Sequence, residues 1–206
     1  MIQKIELMAP AGNFESLQAG LDNGADSVYF GVEQLNMRAR ATVNFTMDDL
    51  TEIARSCEAK NVRSYLTLNT IIYDHDLSVV KTLLYKAKEA NITAVIASDQ
   101  AVIAMARGIG MEVHISTQLN VTNAETVKFY SLFADTIVLS RELSLRQVKK
   151  ITEQIEKEQI KGPSGNLVEI EIFGHGALCM AVSGKCYLSL HSIGSRYELP
   201  SRCLLP

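Results

Sequence analysis

The feature of this sequence that most constrains its fold is a regular alternation of two kinds of segment. Short runs rich in β-branched residues recur between longer segments whose apolar residues are spaced by three and four positions, the pattern of amphipathic helices. Alternating strands and helices imply parallel strands joined by right-handed crossovers, and therefore an α/β fold. The candidate strands are residues 5–10, 27–31, 64–69, 94–98, 112–117, 136–140 and 169–174, and the candidate helices are residues 13–22, 47–60, 76–90, 99–107, 123–132 and 143–158.

Two α/β architectures are compatible with this alternation. A doubly wound sheet would use six or seven strands, but no G-x-G-x-x-G follows the first strand, where MAPAGN (8–13) has a single glycine. A (β/α)8 barrel of the TIM type has one strand more than the seven candidates. We predict such a barrel as a single domain over residues 1–206, incomplete at its C-terminal end.

The eighth strand is the weak point of this prediction. Closure of a barrel removes the open edges of its sheet, and after Gly174 only YLSL (187–190) is a candidate strand. The chain ends in SRCLLP without a charged or flexible tail, so we expect a longer natural protein. An open barrel edge would also permit self-association.

Charge and hydropathy restrict where and on what the protein acts. The net charge of −3 gives no general attraction for a phosphate backbone, so nucleic-acid binding requires a local basic patch or another domain. The N-terminus MIQKIELMAPAGN has no signal-peptide core, and no window of about 18 uninterrupted apolar residues occurs. We therefore expect a cytoplasmic protein without a membrane span.

Three of the four cysteines are grouped near the end of the sequence. Cys57 lies on the apolar face of the second long candidate helix, as a core residue does. Cys179, Cys186 and Cys203 form C-x6-C-x16-C in the segment 175–203. Tetrahedral zinc sites use closer pairs, whereas iron–sulfur clusters accept wide spacing but normally take four thiolates. Three unrelated buried cysteines are the alternative.

Polar residues follow the C-terminal ends of most candidate strands. In barrel enzymes these ends carry the catalytic groups, although many polar residues in such loops only cap helices. We predict a functional site at this edge of the sheet, formed by a subset of these residues. The polar positions are Asn36, Arg38, Asn69, Thr70, Ser98, Asp99, Ser116, Thr117, Gln118, Ser140, Arg141, Glu142 and His175.

The four histidines occur in different contexts. His75 and His191 lie in polar segments and are expected at the surface. His114 lies within the fifth candidate strand, on the same side as Glu112. His175 follows the seventh strand and is the best candidate to contact a cofactor or substrate, the alternative being a hydrogen bond to a loop carbonyl.

Several blocks of the sequence resemble one known family. EIFGHGALCMAVSGKCYLS (171–189) followed by SRC (201–203) resembles the signature of the U32 peptidase family, the collagenase-like proteases. This family has a (β/α)8-type N-terminal barrel, so the resemblance implies the same fold. The other matching blocks are MAPAGN (8–13), NGADSVYFG (23–31), NMRARA (36–41), LTLNT (66–70), HISTQLNVTN (114–123) and VLSREL (138–143).

The resemblance also implies a cofactor. Family members carry a peptidase name of unknown catalytic type. Better-understood relatives take part in oxygen-independent hydroxylation of a 23S ribosomal RNA cytidine, of the tRNA wobble uridine with prephenate implicated, and of the ubiquinone ring. Those relatives hold an iron–sulfur cluster through four cysteines, and Cys179, Cys186 and Cys203 match the first three. The implied cofactor is a [4Fe–4S] cluster whose fourth ligand lies beyond Pro206; the alternative is that these residues alone bind none.

The first functional hypothesis is an iron–sulfur-dependent, oxygen-independent hydroxylation enzyme that acts on tRNA or rRNA. Its candidate catalytic or substrate-binding residues are His175, Arg38, Arg141 and Glu142. Together with Arg40, Arg38 can bind a carboxylate or phosphate through paired hydrogen bonds, as RNA or a small anionic substrate such as prephenate requires. The alternative for Arg141 is a surface ion pair with Glu142.

Two further hypotheses belong to different classes. A collagenase-like peptidase acting on peptides would use Ser183 as nucleophile, with Lys185 nearby and His175 or His114 as base. The sequence has neither G-x-S-x-G nor H-E-x-x-H. The third hypothesis is a non-catalytic accessory subunit in which the cluster is structural.

Overall fold

The computed structural model describes residues 5–32, 35, 45–176 and 182–183. Seven strands and six α-helices alternate in this part of the chain, with short 3-10 turns at Met47–Asp49 and Thr117–Leu119. In chain order the elements are β1 (Met8–Ala11), α1 (Phe14–Asp22), β2 (Ser27–Gly31), α2 (Leu50–Glu58), β3 (Arg63–Leu68), α3 (Leu77–Glu89), β4 (Ala94–Ala97), α4 (Gln100–Gly108), β5 (Glu112–Ile115), α5 (Ala124–Tyr130), β6 (Thr136–Val138), α6 (Leu145–Glu158) and β7 (Glu169–Glu171).

The order of the strands decides between the two predicted architectures. Each strand pairs in parallel with the next one along the chain, from β1 to β7. A doubly wound sheet reverses its strand order at a switch point, and this sheet does not. The seven strands form a curled half-barrel, an incomplete TIM-barrel-like fold, as predicted. The candidate eighth strand at 187–190 lies outside the described residues, and self-association through an open edge stays a prediction.

The two faces of the sheet have different partners because successive strand side chains point to opposite sides. The outer face packs against the helices: Phe30, Leu66 and Ile115 are almost fully buried with helix residues such as Ile53 and Leu83. Burial of each such side chain contributes about 1.5–3 kcal/mol, and this layer holds the helices to the sheet. Cys57 belongs to this core, as predicted, and is 1% exposed.

The inner face of the curled sheet carries fewer aliphatic residues. Tyr65, Ala94 and Ile96 form a small separate cluster there, with Met8 and Tyr29 packed against it. Strand register places Thr67, Ile96, His114 and Thr136 side by side on this face. His114 therefore lies on the inner face, as the alternation in its strand allowed.

Five of the seven strands end one to three residues before the C-terminal limit that the sequence pattern predicts. At β4 and β5 a polar side chain binds the backbone of the following turn instead of continuing the strand. Ser116 Oγ accepts the N–H of Gln118 at 3.3 Å and starts a 3-10 turn directly after β5. Asp99 Oδ1 likewise accepts the N–H of Ala101 at 2.8 Å and caps α4. No helix among the described residues is both long and apolar enough to cross a membrane.

Candidate functional site

A network of polar groups joins the C-terminal ends of β5 and β6. The loops that follow these neighbouring strands are held together by the Ser140 N–H, which donates to the Val121 carbonyl at 2.9 Å. A separate contact spans β4, where Asn69 Nδ2 lies 3.5 Å from Ser116 Oγ. Six residues of the loops after β5 and β6 and of the later chain are joined to one another by side-chain contacts, and we call them the rim network: Thr117, Asn120, Ser140, Arg141, Glu142 and Ser183.

Ser140 is the centre of the rim network. It is buried, and its hydroxyl contacts both the side-chain amide of Asn120 and Oε2 of Glu142. A hydroxyl has one proton, and a carboxylate can only accept. Two acceptors, Asn120 Oδ1 and Glu142 Oε2, therefore face this one proton, and the carboxylate is the stronger acceptor of the two. The Ser140 hydroxyl thus links the side chains of Asn120 and Glu142.

Ser183 lies on the other side of the Glu142 carboxylate and is only 1% exposed. Its backbone N–H donates to Glu142 Oε1 at 2.7 Å. Arg141 Nε donates to its hydroxyl oxygen at 3.4 Å, and Thr117 Oγ1 lies 3.5 Å from the same oxygen. Ser183 is thus held by both its backbone and its side chain, 41 residues after Glu142 in the chain.

Opposing effects set the charge state of Glu142. Burial by itself raises the pKa of this carboxyl, but the hydrogen bonds from the Ser140 hydroxyl and the Ser183 backbone N–H outweigh burial and lower the pKa below its usual value. Glu142 is therefore ionised at neutral pH. Its two oxygens act as acceptors, which suits an anchor for Ser183 better than a proton donor.

The structure brings together only some of the predicted site residues. Arg141 and Glu142 lie side by side in the rim network, both exposed, and their described contacts are with Ser140 and Ser183 rather than with each other. His175 is exposed, four residues past the end of β7. The predicted site residues that lie outside the described part of the chain are Asn36, Arg38, Arg40, Cys179, Lys185, Cys186 and Cys203.

The predicted cluster ligands therefore stay a prediction. Within the described ranges no three histidine, cysteine or acidic side chains are grouped as a metal site. Cys57 is described and buried, and burial raises the pKa of its thiol to about 11. Its thiol is protonated at neutral pH and unsuited to metal binding or nucleophilic chemistry.

The described contacts of Ser183 do not resemble those of a serine nucleophile. Such a nucleophile needs a base within hydrogen-bond reach. The described partners of the Ser183 side chain are Arg141 and Thr117, neither of them a histidine. His114, one of the two candidate bases, instead contacts Glu112 Oε1 through Nε2 at 3.0 Å.

A second group of titratable side chains lies on the inner face of the sheet and comprises Tyr65, Glu112, His114 and Glu171; we call it the inner-face cluster. The ring centroids of Tyr65 and His114 are 4.6 Å apart. Burial raises the pKa of Glu171 to about 7, although the attraction of His114 acts in the opposite direction. Burial likewise raises the pKa of the Tyr65 hydroxyl, which donates to Glu6 Oε1 at 2.8 Å.

Sequence reasoning missed two of these functional features. Asn120 was not among the predicted rim residues; its φ of 51° places it in the left-handed region that asparagine tolerates better than most residues, which is a usable sequence signal. Glu171 was also missed. Its alternation with apolar neighbours in Val168-Glu169-Ile170-Glu171 indicates a strand with one polar face, but not that Glu171 on this face is half-buried while Glu169 is exposed.

Comparisons with known proteins agree on the family to which this chain is similar. The model for peptidase family U32 matches residues 12–204. A Porphyromonas gingivalis W83 protein named "Collagenase" is 56% identical over 194 residues, which cover 94% of this chain and 47% of that protein. The Bacillus subtilis 168 "tRNA hydroxylation protein P1" is 32% identical over 192 residues, covering 92% of this chain and 43% of that protein. The chain thus spans about half the length of these curated relatives or less.

A solved structure supports the fold. The U32 peptidase Mk0906 matches with a TM-score of 0.61 over 84% of this chain and 70% of that one, at 14% sequence identity. At this identity the match concerns architecture alone. The half-barrel described above is therefore an arrangement found in another protein of the U32 type.

Proposed function

The chain belongs to peptidase family U32, and from this premise we propose that it is part of an iron–sulfur-dependent enzyme that hydroxylates tRNA or rRNA without molecular oxygen. A relative with 32% identity bears the name of a tRNA hydroxylation protein. The substrate and the reaction are thereby taken from relatives, and the residues described above indicate how this chain would contribute.

The position of Ser183 is the observation that carries this proposal. Ser183 lies between Cys179 and Cys186 in the sequence, and the rim network holds it at the C-terminal ends of β5 and β6. Barrel enzymes carry their active sites at this edge. Ser183, which lies between two of the three candidate ligands in the sequence, is therefore held where a barrel active site is expected.

The chemistry of the donors fits an iron–sulfur cluster. Cys179, Cys186 and Cys203 supply three thiols, the ligand type of [4Fe–4S] clusters, and a fourth ligand would come from outside this sequence. When bound, the cluster would supply redox or Lewis-acid chemistry. The described residue that binds substrate in this proposal is Arg141, whose exposed guanidinium suits a phosphate or carboxylate.

The remaining roles follow from charge and position. Arg38 would act with Arg141 on the RNA backbone or on a small anionic hydroxyl donor such as prephenate. His175 would donate or accept a proton at the exposed edge. Glu142 is ionised and bound by two donors, so we assign it to holding Ser183 rather than to proton transfer.

Two measurements on the full-length protein test this function. Protein purified without oxygen should be brown, with broad absorption near about 400 nm, and should contain iron and sulfide in similar amounts. Cys179→Ala and Cys186→Ala should lose the colour, whereas Cys57→Ala, which alters a buried core thiol, should keep it. Colourless, iron-free wild-type protein would overturn the proposal.

The second measurement concerns the RNA. A strain that lacks the gene should lose one hydroxylated nucleoside from its tRNA or rRNA, and the wild-type gene should restore it while the Cys186→Ala gene should not. Retention of the cluster with an unchanged nucleoside profile would instead favour an accessory subunit or a substrate other than RNA.

Peptidase activity is the second candidate function, favoured by the 56% identity to a protein named collagenase. Purified full-length protein would then degrade gelatin, and Ser183→Ala would abolish the degradation. We expect Ser183→Ala to leave any gelatin degradation unchanged, because Ser183 is buried and its described partners include no base.

A further inference from the structure

We infer that the exposed face at the head of α6 binds the phosphate backbone of an RNA substrate. Three cationic side chains on the first two turns of this helix are exposed; we call them the basic face, and they are Arg146, Lys149 and Lys150. RNA as the partner rests on the proposed function, whereas the position of the surface follows from described residues alone.

The period of the helix brings the three side chains to one side of α6. Residues three and four positions apart are neighbours on a helix surface, so Arg146 lies beside both Lys149 and Lys150. The opposite side of α6 carries Ile151 and Ile155, which are buried in the core. The basic face therefore points to solvent, where a large polyanion can reach it.

The basic face lies close to the rim network in the chain. Arg141, the exposed rim residue assigned above to a phosphate or carboxylate, precedes Arg146 by five residues. Because a chain spans at most about 3.6 Å per residue, the two Cα atoms are at most about 18 Å apart. Residues 141–150 contain four cationic side chains and one carboxylate, although the whole chain has a net charge of −3. This segment is thus a local basic patch of the kind that nucleic-acid binding requires in an acidic protein.

The cations of the basic face are only weakly engaged within the protein. Lys149 Nζ lies 3.8 Å from Glu153 Oε1, in an ion pair whose side chains are 76% and 61% exposed. Exposed pairs of this kind contribute little to stability. Neither Arg146 nor Lys150 forms an ion pair with a described carboxylate. The basic face can therefore bind an external phosphate without breaking a strong internal contact.

Helix stability does not explain where these cations lie. Cations are favoured at the C-terminal end of a helix, where the macrodipole is negative, and Lys86 and Lys88 occupy that end of α3. Arg146 instead lies in the first turn of α6, which contains no acidic residue. Phosphate binding is assigned to the cationic side chains and not to the backbone N–H groups of this turn, where Gln147 Oε1 already accepts the Ser144 N–H at 2.9 Å.

The test compares two triple variants of the full-length protein with wild type. The basic-face variant carries Arg146→Gln, Lys149→Gln and Lys150→Gln. The matched control loses the same number of positive charges from exposed cations elsewhere in the described chain, through Arg55→Gln, Lys81→Gln and Lys161→Gln. Labelled tRNA and ribosomal RNA from the strain that lacks the gene are the probes, and fluorescence anisotropy measures binding over a range of salt concentrations.

Salt dependence is the decisive readout, because each lost phosphate contact reduces the slope of log K against log salt by about 0.7–0.9. The basic-face variant should lower this slope by about two to three and bind at least about tenfold more weakly near about 0.1 M salt. The control should bind as wild type does. Glutamine is nearly as good a helix former as lysine or arginine, so circular dichroism should show wild-type helix content in both variants.

Three outcomes would overturn the inference. Wild-type binding by the basic-face variant would do so and leave the proposed function intact, because the RNA would then bind elsewhere. Wild-type protein that binds neither RNA would overturn both. Vesicles of phosphatidylglycerol test a membrane surface, the other partner of basic helix faces: vesicle binding that falls in the basic-face variant while RNA binding does not would identify a lipid partner instead.

Discussion

The rim network and the inner-face cluster each contain a glutamate whose pKa departs from its usual value, Glu142 and Glu171, and the two pKa values shift in opposite directions. Hydrogen bonds from Ser140 and Ser183 outweigh burial at Glu142 and lower its pKa. At Glu171 burial outweighs the attraction of His114, and the pKa rises to about 7. The comparison teaches that donors placed around a carboxyl, rather than burial alone, decide its charge.

The largest expected effect concerns Glu171. Its raised pKa means that the folded protein favours the neutral form of Glu171. The contribution of Glu171 to the free energy of unfolding is therefore fully present below about pH 4.5 and is lost as pH rises through about 7. Glu171→Gln stays neutral and should be more stable than wild type at pH 8 by up to about 3 kcal/mol, at about 1.4 kcal/mol per pKa unit. At pH 4 the two proteins should be equally stable.

Urea unfolding of both proteins at pH 4 and pH 8 checks this expectation. Glu169→Gln is the control, since Glu169 lies on the same strand but is exposed. An advantage of Glu171→Gln that is the same at both pH values would mean that ionisation of Glu171 is not the cause.

A smaller effect is expected at the other end of the inner-face cluster. His114 is 3% exposed, and its Nδ1 has no hydrogen-bond partner among the described residues. Glu112→Ala removes the partner of Nε2 as well and should cost about 2 kcal/mol of unfolding free energy, because an unsatisfied buried polar group costs about 1–3 kcal/mol. Thermal and urea unfolding measure the loss.

A double-mutant cycle sharpens this result. Phenylalanine at position 114 has no ring nitrogen to satisfy, so Glu112→Ala should cost much less in a His114→Phe background than alone. Equal costs in both backgrounds would show that the Glu112–His114 contact contributes nothing.

The smallest effect is expected in the rim network. The lowered pKa of Glu142 stabilises the fold above the ordinary carboxyl pKa of 4.5, and this contribution is lost as pH falls through the folded value. Glu142 is largely exposed, so the contribution should be under about 1 kcal/mol. Glu142→Gln should therefore reduce stability slightly at pH 7 and not at pH 3, the reverse of the trend at Glu171. A gain in stability at pH 7 would contradict the assignment.

Much of the fold was predictable from local patterns. All seven predicted strands and six predicted helices are present, because apolar spacing reports which face of a segment is buried. The ends of the strands were less accurate, since Ser116 and similar residues bind the next turn instead of extending the ladder. The choice of a barrel over a doubly wound sheet, which turned on an absent glycine motif, was confirmed by the strand order.

The site was predictable only in part. Ser140, Arg141 and Glu142 were predicted at the C-terminal edge because parallel strands end there together. The contact of Glu142 with Ser183 was not predicted, because it joins residues 41 positions apart. Nor did the sequence distinguish Glu142 as an ionised anchor from Glu142 as a proton donor, since its pKa depends on donors that arrive from other segments.

By itself, then, the sequence determined the alternating elements, the family and the edge at which chemistry is expected. Tertiary structure alone decided that Ser183 is held by Glu142 and that the pKa of Glu171 is raised on the inner face of the sheet. The reason is physical: secondary structure follows from side chains a few positions apart, whereas hydrogen bonding and burial of a carboxyl depend on how strands from distant parts of the chain are placed around it.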